Sequence, residues 1–336
     1  MARILLFGTG SIGAMYAFLL QKAGAEVTCV CRSTYDTAKL HGFTIESTVF
    51  GTHAFRPKIV KSVYDAVNQQ TSSELFDFIV VCTKAISNTA TAQSPPSLIQ
   101  PAVRAGITSI VIIQNGIGVE RIYREAFPDN TIISGVTYMP VSQISPGVFS
   151  HTETQKLHLG VYPAHDATTI DHRNTESFAD LLKSAGAEVK VHQDVQIERW
   201  TKLVGNATWN PICALSRCRD LEFLEASPAL AEDFIVESMR EVVTVAAASG
   251  YGSHITEDTI RMQLARSKAR KWPGVEPSMM ADMAFGKPME VEGIVGEVVK
   301  IAKEKGVNVP RLETLYLLLR GYDWVARREV VGDQMR

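Results

Sequence analysis

No run of apolar residues in this chain is long enough to cross a bilayer, and the N-terminal "MARILLFGTG" holds an apolar stretch far shorter than a signal-peptide core. A cytoplasmic protein is expected. Excess charge is also missing: 34 basic side chains against 36 acidic ones leave a net charge of −2, so no global field favours nucleic acid or an anionic membrane. The expected partner is a small molecule. Cysteines are few and odd in number, at 29, 31, 82, 213 and 218, which fits a reduced, intracellular chain. Their C-x-C and C-x-x-x-x-C spacings lack the companion His or Cys residues of a zinc site, so no metal is expected and core packing is the better reading. Internal repeats, low-complexity tracts and Pro/Ser-rich linkers are absent as well.

What is present is the composition of a folded protein, 46% apolar and 21% charged over 336 residues, a length that suggests two domains. "RILLF" at 3–7, "VTCVC" at 27–31, "FIVVC" at 78–82 and "SIVII" at 109–113 are β-branched or aromatic runs without a polar face. Such runs are strands buried on both sides, as in a parallel sheet covered by helices. In "VTCVC" the period of two sends Cys29 and Cys31 to one face. Between the first two runs, "SIGAMYAFLLQKAGA" is apolar at helical spacing and closed by Gly24, completing a βαβ unit. Further strands are expected at "TIISGVTY", "KLHLGVY" and "EVKVH", with a turn at "SPG" near 145–147. Beyond Val191 the pattern is nearly all helical. The expected organisation is a Rossmann-type doubly wound α/β domain over 1–193 and an all-α helical-bundle domain over 194–336, with the boundary near Asp194.

"LLFGTGSIGAM" places Gly8, Gly10 and Gly13 in G-x-G-x-x-G spacing between a strand and a helix, the context that this pattern requires. Gly8 permits a tight turn, Gly10 lets backbone approach a pyrophosphate, and Gly13 lets helix and strand pack closely. The second strand of such a fold normally ends in Asp or Glu, which binds a ribose 2′-hydroxyl. This one ends in Arg32, followed by Ser33 and Thr34. A guanidinium attracts a 2′-phosphate where a carboxylate repels it, so NADP(H) is expected rather than NAD(H). Lys84 and Asn115 lie just beyond the next two predicted strands, where ligands bind in open parallel sheets; ordinary loop polarity is the competing reading.

"WTKLVGNATWNPICAL", residues 200–215, is an apolar helix that carries Lys202, Asn206 and Asn210 on one face, since each four-residue step leaves a drift of only about 40°. A carbonyl reductase needs a group that polarises the carbonyl oxygen and delivers a proton, and a partly buried lysine meets both needs. Pro211 is expected to disturb the helix and free carbonyls. On periodicity alone, a snorkelling lysine with two amides bonded to neighbouring helices explains the pattern equally well.

In order, "GTGSIG", "CTKA", "QNG", "WTKLVGNATWNP" and "SMMADMAFGKPMEVEGIVG" resemble the ketopantoate reductase family, the NADPH-dependent 2-dehydropantoate 2-reductases, from Arg3 to about Leu319. The resemblance implies reduction of a 2-oxo acid with Lys202 as general acid and with Asn206, Asn210 and Ser278 on the substrate. It implies cofactor contacts from the turn Gly8, Thr9, Gly10, Ser11, Ile12 and Gly13, from Arg32 at the 2′-phosphate, and from Lys84, Asn115 and Glu290, with Asn115 beside the substrate too. Read from the residues alone, Ser278 follows Pro277 and could N-cap a helix, and Glu290 follows Pro288 in a first turn.

The chain departs from the family pattern in three places. Lys287, Pro288 and Met289 precede Glu290 where Arg-x-Thr is common, Tyr138, Met139 and Pro140 add bulk to the expected crevice, and another substrate asparagine aligns only loosely, with Asp220 as its candidate. These changes put the identity of the 2-oxo acid in doubt. The alternatives are a reductase for a different 2-oxo acid, a β-hydroxy acid dehydrogenase, and a non-catalytic NADP(H)-binding sensor. A homodimer through an apolar face of the helical domain is the commonest symmetric outcome.

Overall fold

In a computed structural model, which describes residues 1–69, 76–86 and 94–334, the chain forms two compact units. One holds Met1–Lys84, the stretch ending at Gln114, and Val119–Val195. The other holds the chain from Gln196 onward together with Asn115–Gly118 and a short segment starting at Ala85.

The first unit contains the strands β1 (Arg3–Phe7), β2 (Glu26–Val30), β3 (Phe43–Ser47), β4 (Gly51–Phe55), β5 (Lys58–Val60), β6 (Phe78–Val81), β7 (Ser109–Ile112), β8 (Ile132–Tyr138), β9 (Val141–Ser145), β10 (Val148–His151), β11 (Lys156–Val161) and β12 (Glu188–Val191). Eight of them form one sheet in the order β12-β11-β8-β7-β6-β1-β2-β5. Pairing is parallel from β8 through to β5, whereas β11 runs antiparallel to β8 and parallel to β12. The chain therefore winds outward from β1 on both sides, which puts a topological switch point beside that strand.

Strand periodicity explains why these runs have no polar face. Ile4 and Leu6 pack into one apolar cluster and Leu5 and Phe7 into another, so β1 is covered on both sides. Cys29 and Cys31 share the first of these clusters, as their spacing predicts, and all five cysteines are free thiols. The helix Ser11–Lys22 follows the glycine turn and ends before Gly24, whose φ of 82° is costly for any residue with a Cβ. A second sheet, β4-β3-β10-β9, was not expected from the sequence, apart from the turn at Pro146 and Gly147 that joins β9 to β10.

The second unit is helical. The helix Gln196–Ser216 packs against Pro228–Ala246, Glu257–Lys268, Ser278–Ala284 and Pro310–Gln334. Trp200, Leu203, Val204 and Ala207 enter a core shared with Met239, Val242, Ile294, Val298, Leu312 and Leu319. Pro211 lies inside a continuous run of 21 residues, so the helix carries on through it. The proline removes one donor, but Trp209, Ile212, Cys213 and Ala214 are buried around it, and their packing holds the flanking turns. Among the described residues, no helix is long and apolar enough to cross a membrane.

Candidate active site

Two groups of predicted residues stand out, one in each unit. In the first, Gly8 adopts φ of 102°, and a Cβ there would come within 2.6 Å of the Thr83 backbone nitrogen. A Cβ on Gly13 would come within 2.1 Å of the Gly8 carbonyl oxygen, so both positions exclude other residues. Gly10 has open space in front of it instead. Ser11 and Ile12 begin the helix, whose first turn carries no acidic side chain and no side-chain cap. Its unpartnered N–H groups form a cradle that fits an anion such as a pyrophosphate. Thr9 is buried and braces the turn: its hydroxyl donates to the Val30 carbonyl at 2.8 Å and accepts from the Cys31 thiol at 3.1 Å. Arg32 is exposed just past β2, where a bound group could meet it. Lys84, half-buried, follows β6 by three residues.

The second group is a chain of hydrogen bonds. Lys202 Nζ donates to Asn115 Oδ1 at 2.9 Å, Asn115 Nδ2 donates to Glu290 Oε2 at 2.9 Å, and Glu290 Oε1 accepts the Ala85 backbone N–H at 3.0 Å. Three distant stretches thus converge on one half-buried ammonium. Burial pushes the Lys202 pKa down to about 8, and the nearby Arg199 and Arg266 charges push the same way, while Glu290 opposes them. The group is therefore a stronger proton donor than an exposed lysine.

Further along the same face, Asn210 is buried and its Oδ1 accepts from Met279 N at 3.3 Å and from Ser278 Oγ at 3.4 Å. Asn206 lies between, half-buried, and its side chain bonds to no other described residue. The structure thus brings Lys202, Asn115 and Glu290 together, and separately Asn210 and Ser278. Ser278 is the first helical residue rather than the cap, a place taken by Pro277, and Glu290 precedes the next helix with its carboxylate committed to Asn115 and Ala85.

Asp220 has another occupation. It is fully buried, ion-paired with Arg270, and accepts Leu221 N at 3.0 Å and Val275 N at 2.8 Å, so it clamps the loop that leads to Ser278. Met139 packs into the core of its own unit at 7% exposure, which corrects the expectation that it adds bulk to an open crevice, and Met289, 2% exposed, packs into the helical core. Sequence reasoning missed Gln114, whose amide donates to the Thr83 carbonyl at 2.7 Å, and Arg199, which donates to the Gly116 carbonyl at 2.9 Å. The only sequence signal for Arg199 is a charge one turn before Lys202 on an apolar helix.

Residues 4–164 match the family described as ketopantoate reductase PanE/ApbA, and residues 194–323 match its C-terminal part. An uncharacterised protein of Saccharomyces cerevisiae is 31% identical over 341 residues, covering 95% of this chain and 93% of that one. The crystal structure of 2-dehydropantoate 2-reductase from Methylococcus capsulatus is similar at 32% identity and a TM-score of 0.81, covering 96% of this chain and 97% of that one. D-mandelate dehydrogenase, solved with NADH and anilino(oxo)acetate, shares the fold at 20% identity and a TM-score of 0.81, covering 97% and 99%. With both units matched and the likeness running almost end to end, the chain belongs to the ketopantoate reductase PanE/ApbA family.

Proposed function

We propose that this protein reduces a 2-oxo acid to the 2-hydroxy acid with NADPH, that the substrate is 2-dehydropantoate (ketopantoate), and that Lys202 is the proton donor. Family membership supplies the reaction type, an oxidoreduction at a CH–OH group. The observation that carries the finer reading is the bond from Lys202 Nζ to Asn115 Oδ1, made by an ammonium whose pKa is lowered to about 8. The glycine turn supports a dinucleotide: Gly10 leaves the space that a pyrophosphate needs, and no carboxylate in the first helical turn repels it. When bound, a reduced nicotinamide supplies a hydride to the 2-oxo carbon.

The chain's own residues do the rest. Lys202 hydrogen-bonds the substrate carbonyl oxygen and transfers its proton to that oxygen as negative charge grows there. Asn115 and Glu290 keep the ammonium aimed and, through Glu290, charged. Asn206 offers its amide to a substrate oxygen, while Asn210 and Ser278 orient the carboxylate end, which limits the motion that catalysis must otherwise overcome. Arg32 favours the 2′-phosphate and hence NADPH. A homodimer is proposed as the assembly.

The test is the initial rate of NADPH oxidation with ketopantoate, run beside NADH and a panel of bulkier and aromatic 2-oxo acids. A preference for NADPH and ketopantoate is expected. Turnover with another acid alone would overturn the named substrate and keep the Lys202 chemistry. Cofactor binding with no turnover on any acid would overturn the reductase reading.

A further inference from the structure

Arg199 is 3% exposed, an unusual place for a guanidinium, because burying a charge is costly unless it is paired and hydrogen-bonded. It sits three residues before Lys202 on the same helix, and its Nη1 donates to the carbonyl of Gly116 at 2.9 Å. That carbonyl follows directly on Asn115, the residue that receives the Lys202 ammonium. The turn is pinned from the other side as well. Ile117 N donates to the Gly293 carbonyl at 3.1 Å, and Gly116, at φ of 98°, has no room for a Cβ, which would come within 2.0 Å of the same oxygen. Gly293 in turn lies three residues after Glu290, the other partner of Asn115.

We propose that Arg199 is a positioning residue for the proton donor: from one turn earlier on the lysine helix it grips the 115–118 turn, so that the Asn115 amide meets Lys202 and Glu290 at once. This rests on the reading of Lys202 as the donor. A neutral side chain could hold the Gly116 carbonyl, but it would not also act on Lys202 through its charge. Among the described residues, the charged groups acting on Lys202 include Arg199 from its own helix, Arg266 from Glu257–Lys268, and Glu290; these two arginines favour the neutral amine and Glu290 the ammonium. Arg199 therefore joins geometry to proton affinity in one side chain.

The experiment compares the wild type with Arg199→Gln and Arg199→Lys in the full chain. The first readout needs neither cofactor nor substrate: pulsed acylation of Lys202 with acetic anhydride across pH, followed by peptide mass spectrometry, since only the neutral amine reacts. Arg199→Gln is expected to move the midpoint upward by about one pH unit and to lower kcat by about tenfold. Arg199→Lys keeps the charge but not the fork, so the midpoint should stay near the wild-type value while kcat falls by a similar factor. A folded Arg199→Gln protein with an unshifted midpoint and wild-type kcat would overturn the proposal. If that variant does not fold, Arg199→Lys decides, and wild-type kcat there overturns it. Turnover retained by Lys202→Ala would sink the donor reading instead, and the acylation midpoints would still judge the effect of Arg199 on Lys202.

Discussion

The glycine turn after β1 and the hydrogen-bonded array around Lys202 are built on opposite principles. The turn works through missing side chains: atoms added at Gly8 or Gly13 would overlap backbone, and Gly10 keeps a space open before the helix. The array works through long side chains from positions 115, 202 and 290 that meet at 2.9 Å. One offers fixed backbone dipoles to an anion and is insensitive to pH, while the other holds a group whose proton affinity its neighbours set. A backbone cradle is encoded in six consecutive residues. A charge array is encoded in pairs 87 and 175 residues apart, so only the fold assembles it.

If the two regions are separable, variants should damage one and spare the other. The largest effect is expected from Asn115→Ala, which removes both the acceptor of the ammonium and a donor to Glu290. The single-turnover rate should fall about 100-fold, and a rate within about threefold of wild type would break the claim that the array needs its middle amide. Gly13→Ala strikes the other region. Fluorescence titration should give an NADPH Kd raised about tenfold or more, while the acylation midpoint of Lys202 stays at its wild-type pH; a shifted midpoint would mean that the regions are not separable. Arg32→Ala sharpens the account of the cradle: the ratio of kcat/KM for NADPH over NADH should drop about tenfold, and an unchanged ratio would assign the 2′-phosphate to other groups. Ser278→Ala should be mildest. Its bond to Asn210 is long at 3.4 Å, so KM for the 2-oxo acid should rise about threefold with little change in kcat.

The same contrast explains what could be read from the sequence. The strands β1, β2, β6 and β7 were legible because each is a short β-branched run between turn residues, and the helix Ser11–Lys22 because its apolar spacing is flanked by glycines. β3, β4 and β5 were not, since "FTIES" and "GTHAF" mix polar residues with aromatics, and β3 pairs in parallel with β10, about a hundred residues away. In the array, the shared face of Lys202, Asn206 and Asn210 followed from the helical period. The partnership of Asn115 with Glu290 was not implied by any local pattern, nor was the inclusion of 115–118 in the helical unit. Asp220 shows the converse: the candidate for a loosely aligned substrate position, it is fully buried and committed to Arg270 and two backbone N–H groups.

The most direct test of the central claim is kcat against pH for the wild type and Lys202→Ala, with NADPH and ketopantoate saturating. Reduction requires the ammonium, whose pKa is lowered to about 8, so wild-type kcat should be level below that pH and fall as pH rises through it. Lys202→Ala should lose at least about 100-fold and show no such limb. A Lys202→Ala protein that keeps most of its turnover, with the same alkaline limb, would contradict the account.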